Sequence, residues 1–142
     1  MKRVLLATAL AALAGAGCRG PEAVQPGEGQ LVVQGLQQTV RLTPAQPESG
    51  QSVQILSVVT SRSFGPAPVE SRICGLDLGG DITIVMNEVR CGGYSQSVIL
   101  APGDSVTGVE GGVVGSPPGH YVLRVRQLVQ PNAWVEIPVE VR

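Results

Sequence analysis

The sequence predicts an all-β chain, an antiparallel β-sandwich of about seven or eight short strands after an N-terminal signal peptide. Three observations predict it. First, the chain closes on two alternating runs. After the turn-forming Pro117-Pro118-Gly119, residues Tyr121, Leu123 and Val125 fall on one side and Val122, Arg124 and Arg126 on the other. In residues 134–142, Val135, Ile137, Val139 and Val141 alternate with Trp134, Glu136, Pro138, Glu140 and Arg142. Period two marks a half-buried strand, because successive side chains leave opposite faces. Second, the composition is 43% hydrophobic but only 3% aromatic, with 19 Gly and 11 Pro, so the core is aliphatic and turns are frequent. Third, turn signals recur roughly every ten residues, and no helical run stands out among them.

The N-terminus has the layout of a secretory signal. Met1-Lys2-Arg3 is basic, residues 4–13 are apolar, and Ala14-Gly15-Ala16-Gly17 are small. The apolar run is too short to span a bilayer. Residues 1–17 are therefore expected to be a signal peptide, residues 18–29 a flexible tether rich in Gly, Pro and polar side chains, and residues 30–142 the folded domain. The stretch Leu13-Ala14-Gly15-Ala16-Gly17-Cys18 resembles a bacterial lipobox. That resemblance implies cleavage before Cys18, a diacylglycerol on its thiol and an acyl chain on the new amine. Gly15 stands where the family usually has Leu, and Leu13 lies two positions earlier. The alternative is an ordinary signal cut after Ala16 or Gly17, which would leave Cys18 an exposed thiol in a secreted or periplasmic soluble protein.

Three cysteines are an odd number, and lipidation of Cys18 leaves Cys74 and Cys91 as a pair. An oxidising compartment would let them bridge, and the short loop they close corresponds to about 3 kcal/mol in the chain-entropy picture. The other reading is two thiols that never meet.

The strands follow in order. Residues 30–43 read as one strand or a pair broken at Gly35, with Leu36, Val40 and Leu42 on one face. Residues 52–60 are apolar on both phases (Val53, Ile55 and Val59 against Leu56 and Val58), the pattern of a central strand. Residues 61–66 are a loop, and Val69, Ser71 and Ile73 alternate after it. Residues 75–80 break the pattern, and Ile82, Ile84 and Met86 restore it. Residues 97–100 form a short strand before the Pro102-Gly103-Asp104 turn. Residues 105–114 are rich in glycine and read as an edge strand or an irregular loop. Pro138 cannot donate to a ladder, which places the last strand at an edge.

Several of these motifs carry a resemblance. Leu42-Thr43-Pro44, Gly50 before Val53, Leu100-Ala101-Pro102-Gly103 and Pro118-Gly119-x-Tyr121-x-Leu123 look like those of bacterial immunoglobulin-like domains over residues 30–142. The same stretch is similar to the intracellular proteinase inhibitor domain of bacilli. The resemblance implies an immunoglobulin-like sandwich, a corner role for the Tyr121 hydroxyl, and inhibitor function as one alternative.

Chemistry-bearing motifs are few. Gly103-Asp104-Ser105 resembles an esterase nucleophile block, but Ser105 needs a base and His120 is the single histidine. A hydrolase using Ser105 is thus a remote alternative, and His120 reads as exposed on the Val122–Arg124 phase. Asp77 and Asp81 supply too few oxygens for calcium, and Cys74 and Cys91 with one distant His make no zinc set. No cofactor or metal is expected. The formal charge is −1, and loss of residues 1–17 leaves eight arginines against eleven acids, or −3. Neither value provides the basic patch of a nucleic-acid surface.

The functional expectation is a non-enzymatic, lipid-anchored module of the bacterial cell envelope, binding or structural, whose partner, an envelope protein among the candidates, is unknown. Arg19 after Cys18, where some lipoproteins have an Asp that retains them at the inner membrane, favours an outer-membrane location in a cell with two membranes. Contact is expected at one end of the sandwich, near residues 61–68 and 108–119, through Ser61, Phe64 and Gly112. For the inhibitor alternative the Cys74–Cys91 loop would present Arg90.

Overall fold

The computed structural model describes residues 25–72, 75–87, 95–128 and 133–142. These residues form ten strands and no helix. They are β1 (Glu28–Val33), β2 (Leu36–Thr43), β3 (Ser52–Ser61), β4 (Ala67–Arg72), β5 (Asp77–Gly80), β6 (Ile84–Met86), β7 (Ser95–Leu100), β8 (Ser105–Val114), β9 (Gly119–Arg126) and β10 (Val135–Val141). All pairings are antiparallel. One layer is a five-stranded sheet in the order β1-β2-β3-β8-β6. Facing it are a three-stranded sheet, β10-β9-β5, and a two-stranded one, β4-β7. The expected all-β sandwich is therefore the fold.

The count exceeds the expected seven or eight for two local reasons. Residues 30–43 are a hairpin, because Gln34 and Gly35 adopt φ of 48° and 78°. Two central residues at positive φ make the tight turn whose twist suits antiparallel strands. Residues 75–80 were expected to interrupt the pattern, yet Asp77–Gly80 pair with β9 from Arg126 to Leu123. That strand is too short and too glycine-rich to show a period of its own.

Strand β8 was expected at an edge or in a loop, and it lies between β3 and β6. Its inward glycines serve packing. A Cβ on Gly108 would lie 2.8 Å from Leu76 Cδ2, and one on Gly112 would lie 2.6 Å from Ile84 Cγ2. Strand β3 is central, as its doubly apolar pattern predicted, and β10 ends its own sheet, as Pro138 predicted. The closing strands bury Leu123, Val125, Val135, Ile137, Val139 and Val141 and expose Val122, Arg124 and Glu136.

The core is divided. One cluster joins Val40, Leu42, Val53, Ile55 and Val114 to the inner faces of β9 and β10. The other joins Leu36 and Val59 to Ala67, Val69 and Leu100 of the β4–β7 arm, with Leu128 and Ala133. Between them runs a chain of buried amides and one hydroxyl. Gln38 Nε2 donates to Ser57 Oγ at 3.1 Å, and Ser57 Oγ donates to Gln127 Oε1 at 2.7 Å. Gln38 Oε1 is buried without a hydrogen-bond partner. On β2 the inward series is Leu36, Gln38, Val40, Leu42; on β3 it is Val53, Ile55, Ser57, Val59. One polar residue in each apolar series thus marks the border between the two clusters.

Candidate contact surfaces

The sandwich has two distinct ends. At one end, called the tether end for the stretch expected before it, the described chain comes in at Gln25, and Gly27 is tied on both sides. Its N–H donates to the Pro138 carbonyl at 3.4 Å and its carbonyl accepts from Leu42 N–H at 2.7 Å. The β2–β3 loop lies here too, with Gly50 N–H donating to Val114 O at 2.8 Å and Arg142 N–H to Pro47 O at 2.9 Å. Gln25–Gly27, the β8–β9 turn and the end of β10 are therefore neighbours.

The far end gathers the β1–β2 turn, residues 62–66 and the β7–β8 turn. Arg62 N–H donates to Gly35 O at 2.7 Å, Ser61 N–H to Asp104 O at 2.9 Å, and Gly103 N–H to Ser61 O at 3.0 Å. Side chains tighten the same loop. Arg62 Nε donates to Gln37 Oε1 at 2.7 Å, and Ser63 Oγ donates to Gly65 O at 2.7 Å while lying 2.9 Å from Ser61 Oγ. At the tip of this braced loop stands Phe64, fully exposed. Pro66 and Pro68 follow on the solvent side while Ala67 and Val69 turn inward. Ile99, 70% exposed, stands opposite Pro68 on β7. An exposed aromatic with apolar neighbours is the composition of a binding anchor.

A concave surface lies elsewhere, between the sheet edges formed by β5 and β6. Leu78, Ile82, Ile84, Met86 and Leu123, with Gly79, Gly80 and Thr83, line an open groove of about 380 Å³. Ile84 and Met86 come from the five-stranded sheet, and Leu78 and Leu123 from the sheet opposite. On the other side of the sandwich the layers meet closely, since a Cβ on Gly29 of β1 would lie 2.6 Å from Glu136 O of β10.

The expected site residues separate in space. Phe64 is where the sequence placed it, in an exposed loop. Ser61 is the last residue of β3 and is buried, so it braces the loop instead of facing solvent. Gly112 is buried inside β8, not in a loop, because β6 packs directly over it. Residues 61–68 and 108–119 were expected together at one end; β8 instead carries residues 108–114 along the sandwich and sets residues 115–119 at the end opposite residues 61–68. Cys18, Cys74, Cys91 and Arg90 lie outside the described residues, so the expected lipid site, disulfide and inhibitor loop are not seen here.

Ser105 and His120 are also far apart. Ser105 pairs with Thr60 at the far end, whereas His120 pairs with Glu140 at the tether end. Ten residues of β8 separate these ends by roughly 30 Å. His120 is exposed beside a shallow depression lined by Pro26, Gln46, Tyr121, Pro138 and Glu140. Gln46 Nε2 donates to Glu140 Oε2 at 3.0 Å there. The Tyr121 hydroxyl donates to Pro117 O at 2.9 Å, the local backbone bond expected of it. Asp77 pairs with Arg126 at 2.7 Å, and Asp81 Oδ1 accepts from Val122 N–H, so neither carboxylate is a bare turn residue. Among the described residues no group of three or more His, Cys, Asp or Glu is placed to hold a metal.

The groove and the Gln38–Ser57–Gln127 chain escaped the sequence reading. The chain had a signal, a polar residue on the apolar phase of β2 and of β3. The groove had none, because its two walls come from strands paired in different sheets. No known family model matches the chain, and no curated protein matches its sequence.

Proposed function

We propose that this chain is a non-enzymatic module of the bacterial envelope, held at a membrane surface by an acylated Cys18 and presenting its loops away from that surface. The supporting observation is the position of Gln25 at the end of the sandwich opposite Phe64. Gln25 lies seven residue steps after Cys18. Fully extended they reach about 25 Å. A leash of that length holds the tether end near the lipid headgroups and leaves the Phe64 loop roughly a strand length farther out. Two acyl chains would make the anchoring stable.

The mass of the intact mature protein tests this reading. Cleavage before Cys18 with the added mass of a diacylglycerol is the expected result, and Cys18→Ser should release the chain from membranes. A mature chain that begins at residue 17 or 18 with no added lipid would refute the anchor. The Ser105 alternative draws no support from the fold, because the single histidine lies at the wrong end.

A further inference from the structure

We infer that the partner of the Phe64 loop is a second copy of this chain, with Phe64 of one copy seated in the β5–β6 groove of the next. This deepens the reading of a non-enzymatic module and rests on it only for local concentration. The chain carries both halves of a knob-and-groove contact. Phe64 is a fully exposed aromatic on a loop braced by Arg62, Ser61 and Ser63. Five apolar side chains, Leu78, Ile82, Ile84, Met86 and Leu123, line the groove beside polar surface that includes Thr83, and its volume of about 380 Å³ is in the range of ligand pockets.

Charge is complementary as well. Arg62 is exposed two residues before the knob, and Asp81 is exposed between the groove residues Gly80 and Ile82. Seating Phe64 brings the cation towards the anion. The two surfaces are different patches of one molecule, so the contact is head-to-tail and propagates into a row instead of closing as a twofold dimer. The groove runs from Leu78, which pairs with Val125, past Gly80 opposite Leu123 to the tether end, where Thr83 N–H meets Ser116, so its centre lies near mid-height. Each contact therefore displaces the next copy by roughly half a strand length, about 17 Å; one such step is within reach of the leash and two are not, so anchored copies pair while rows form from dissolved ones.

A buried Phe contributes roughly 150–250 Å², against the roughly 1,200 Å² of a stable complex. The contact is thus weak between dissolved copies and gains from tethering, which raises effective concentration to about the millimolar level.

The full chain tests this by sedimentation velocity up to millimolar concentration and by energy transfer between labelled copies on phosphatidylcholine vesicles. Concentration-dependent association is expected, weakened by added salt and lowered about thirtyfold by Phe64→Ala. Thr83→Arg, at an exposed rim position, should do the same with an unchanged circular dichroism spectrum, and Met86→Glu is a second block of the groove. Val32→Ala, at an exposed apolar residue of β1 on the opposite edge of the five-stranded sheet, should leave association unchanged.

The deciding measurement is a mixture. Phe64→Ala keeps its groove and Thr83→Arg keeps its knob, so equimolar mixing should restore a one-to-one dimer that grows no further. A chain that stays monomeric at millimolar concentration, association that survives Phe64→Ala, or a folded mixture that stays monomeric would overturn the inference. So would Phe64-dependent binding of monomers to the vesicles, which would make Phe64 a lipid wedge. Cys18→Ser leaves knob and groove intact, so membrane retention unchanged by that substitution, with association preserved, would refute the anchor alone.

Discussion

Replacing Ser57 by alanine should cost far more stability than replacing Gln38 by leucine, although Gln38 is the larger buried side chain. Ser57 is the middle of the chain that separates the two core clusters. It accepts from Gln38 Nε2 at 3.1 Å and donates to Gln127 Oε1 at 2.7 Å, and it is fully buried. Ser57→Ala leaves both amide groups facing a methyl group. Each stranded buried group costs about 1–3 kcal/mol, so a loss of about 2–4 kcal/mol is expected after partial relaxation. Gln38 stands at the end of the chain, and its Oε1 already lacks a partner. Gln38→Leu gives up one hydrogen bond of about 1 kcal/mol, removes an unpaired carbonyl costing about 1–3 kcal/mol, and adds apolar contact. That variant should therefore be as stable as the parent or up to about 2 kcal/mol more stable. Urea unfolding followed by circular dichroism gives both values, provided the slope is unchanged. A Ser57→Ala loss smaller than about 0.5 kcal/mol, or smaller than that of Gln38→Leu, would show that the hydrogen bonds of Ser57 do not contribute the stability assigned to them.

Two further outcomes follow from local geometry. Gly112→Ala should destabilise by about 1–3 kcal/mol, because its Cβ would meet Ile84 Cγ2 at 2.6 Å and Val85 O at 2.8 Å and push β6 off β8. Gly65→Ala, with no atom within 4 Å of the added carbon, should stay within about 0.5 kcal/mol in the same unfolding assay. Arg126→Ala should cost about 1–2 kcal/mol, since its guanidinium bonds Asp77 at 2.7 Å and lies 4.6 Å from the Trp134 ring, with side-chain exposures of 25% and 20% across the ion pair. Glu136→Ala, which breaks the Arg124 pair exposed at 53% and 58%, should shift the unfolding free energy by no more than about 0.5 kcal/mol; equal losses from the two variants would contradict the burial difference.

Much of the fold was legible because alternation is a local property. In β9 and β10 each residue's side follows from its neighbours two positions away, so Leu123 and Ile137 could be placed inside and Arg124 and Glu136 outside without knowing which strand faced them. Pro138 marked an edge for an equally local reason, its missing N–H. Strands β5 and β8 were misjudged because their glycines answer to distant partners. Gly112 makes room for β6, and Gly80, at φ 104° with Val122 O only 2.0 Å from a would-be Cβ, makes room for β9. Neither requirement leaves a mark in the residues beside the glycine.

The sequence by itself determined the all-β class, the inward and outward phase of β2, β9 and β10, the turn at Gly103, and a loop around Phe64. Only the tertiary structure decided which strands pair. That decision puts residues 61–68 and 115–119 at opposite ends, sends His120 a sandwich length from Ser105, and assembles a groove from Leu78 and Leu123 of one sheet with Ile84 and Met86 of the other. The physical reason is that pairing is set by long-range fit between side chains. Val40, Ile55, Leu123 and Ile137 meet in one core across a hundred residues of chain, and no period in the sequence encodes who meets whom.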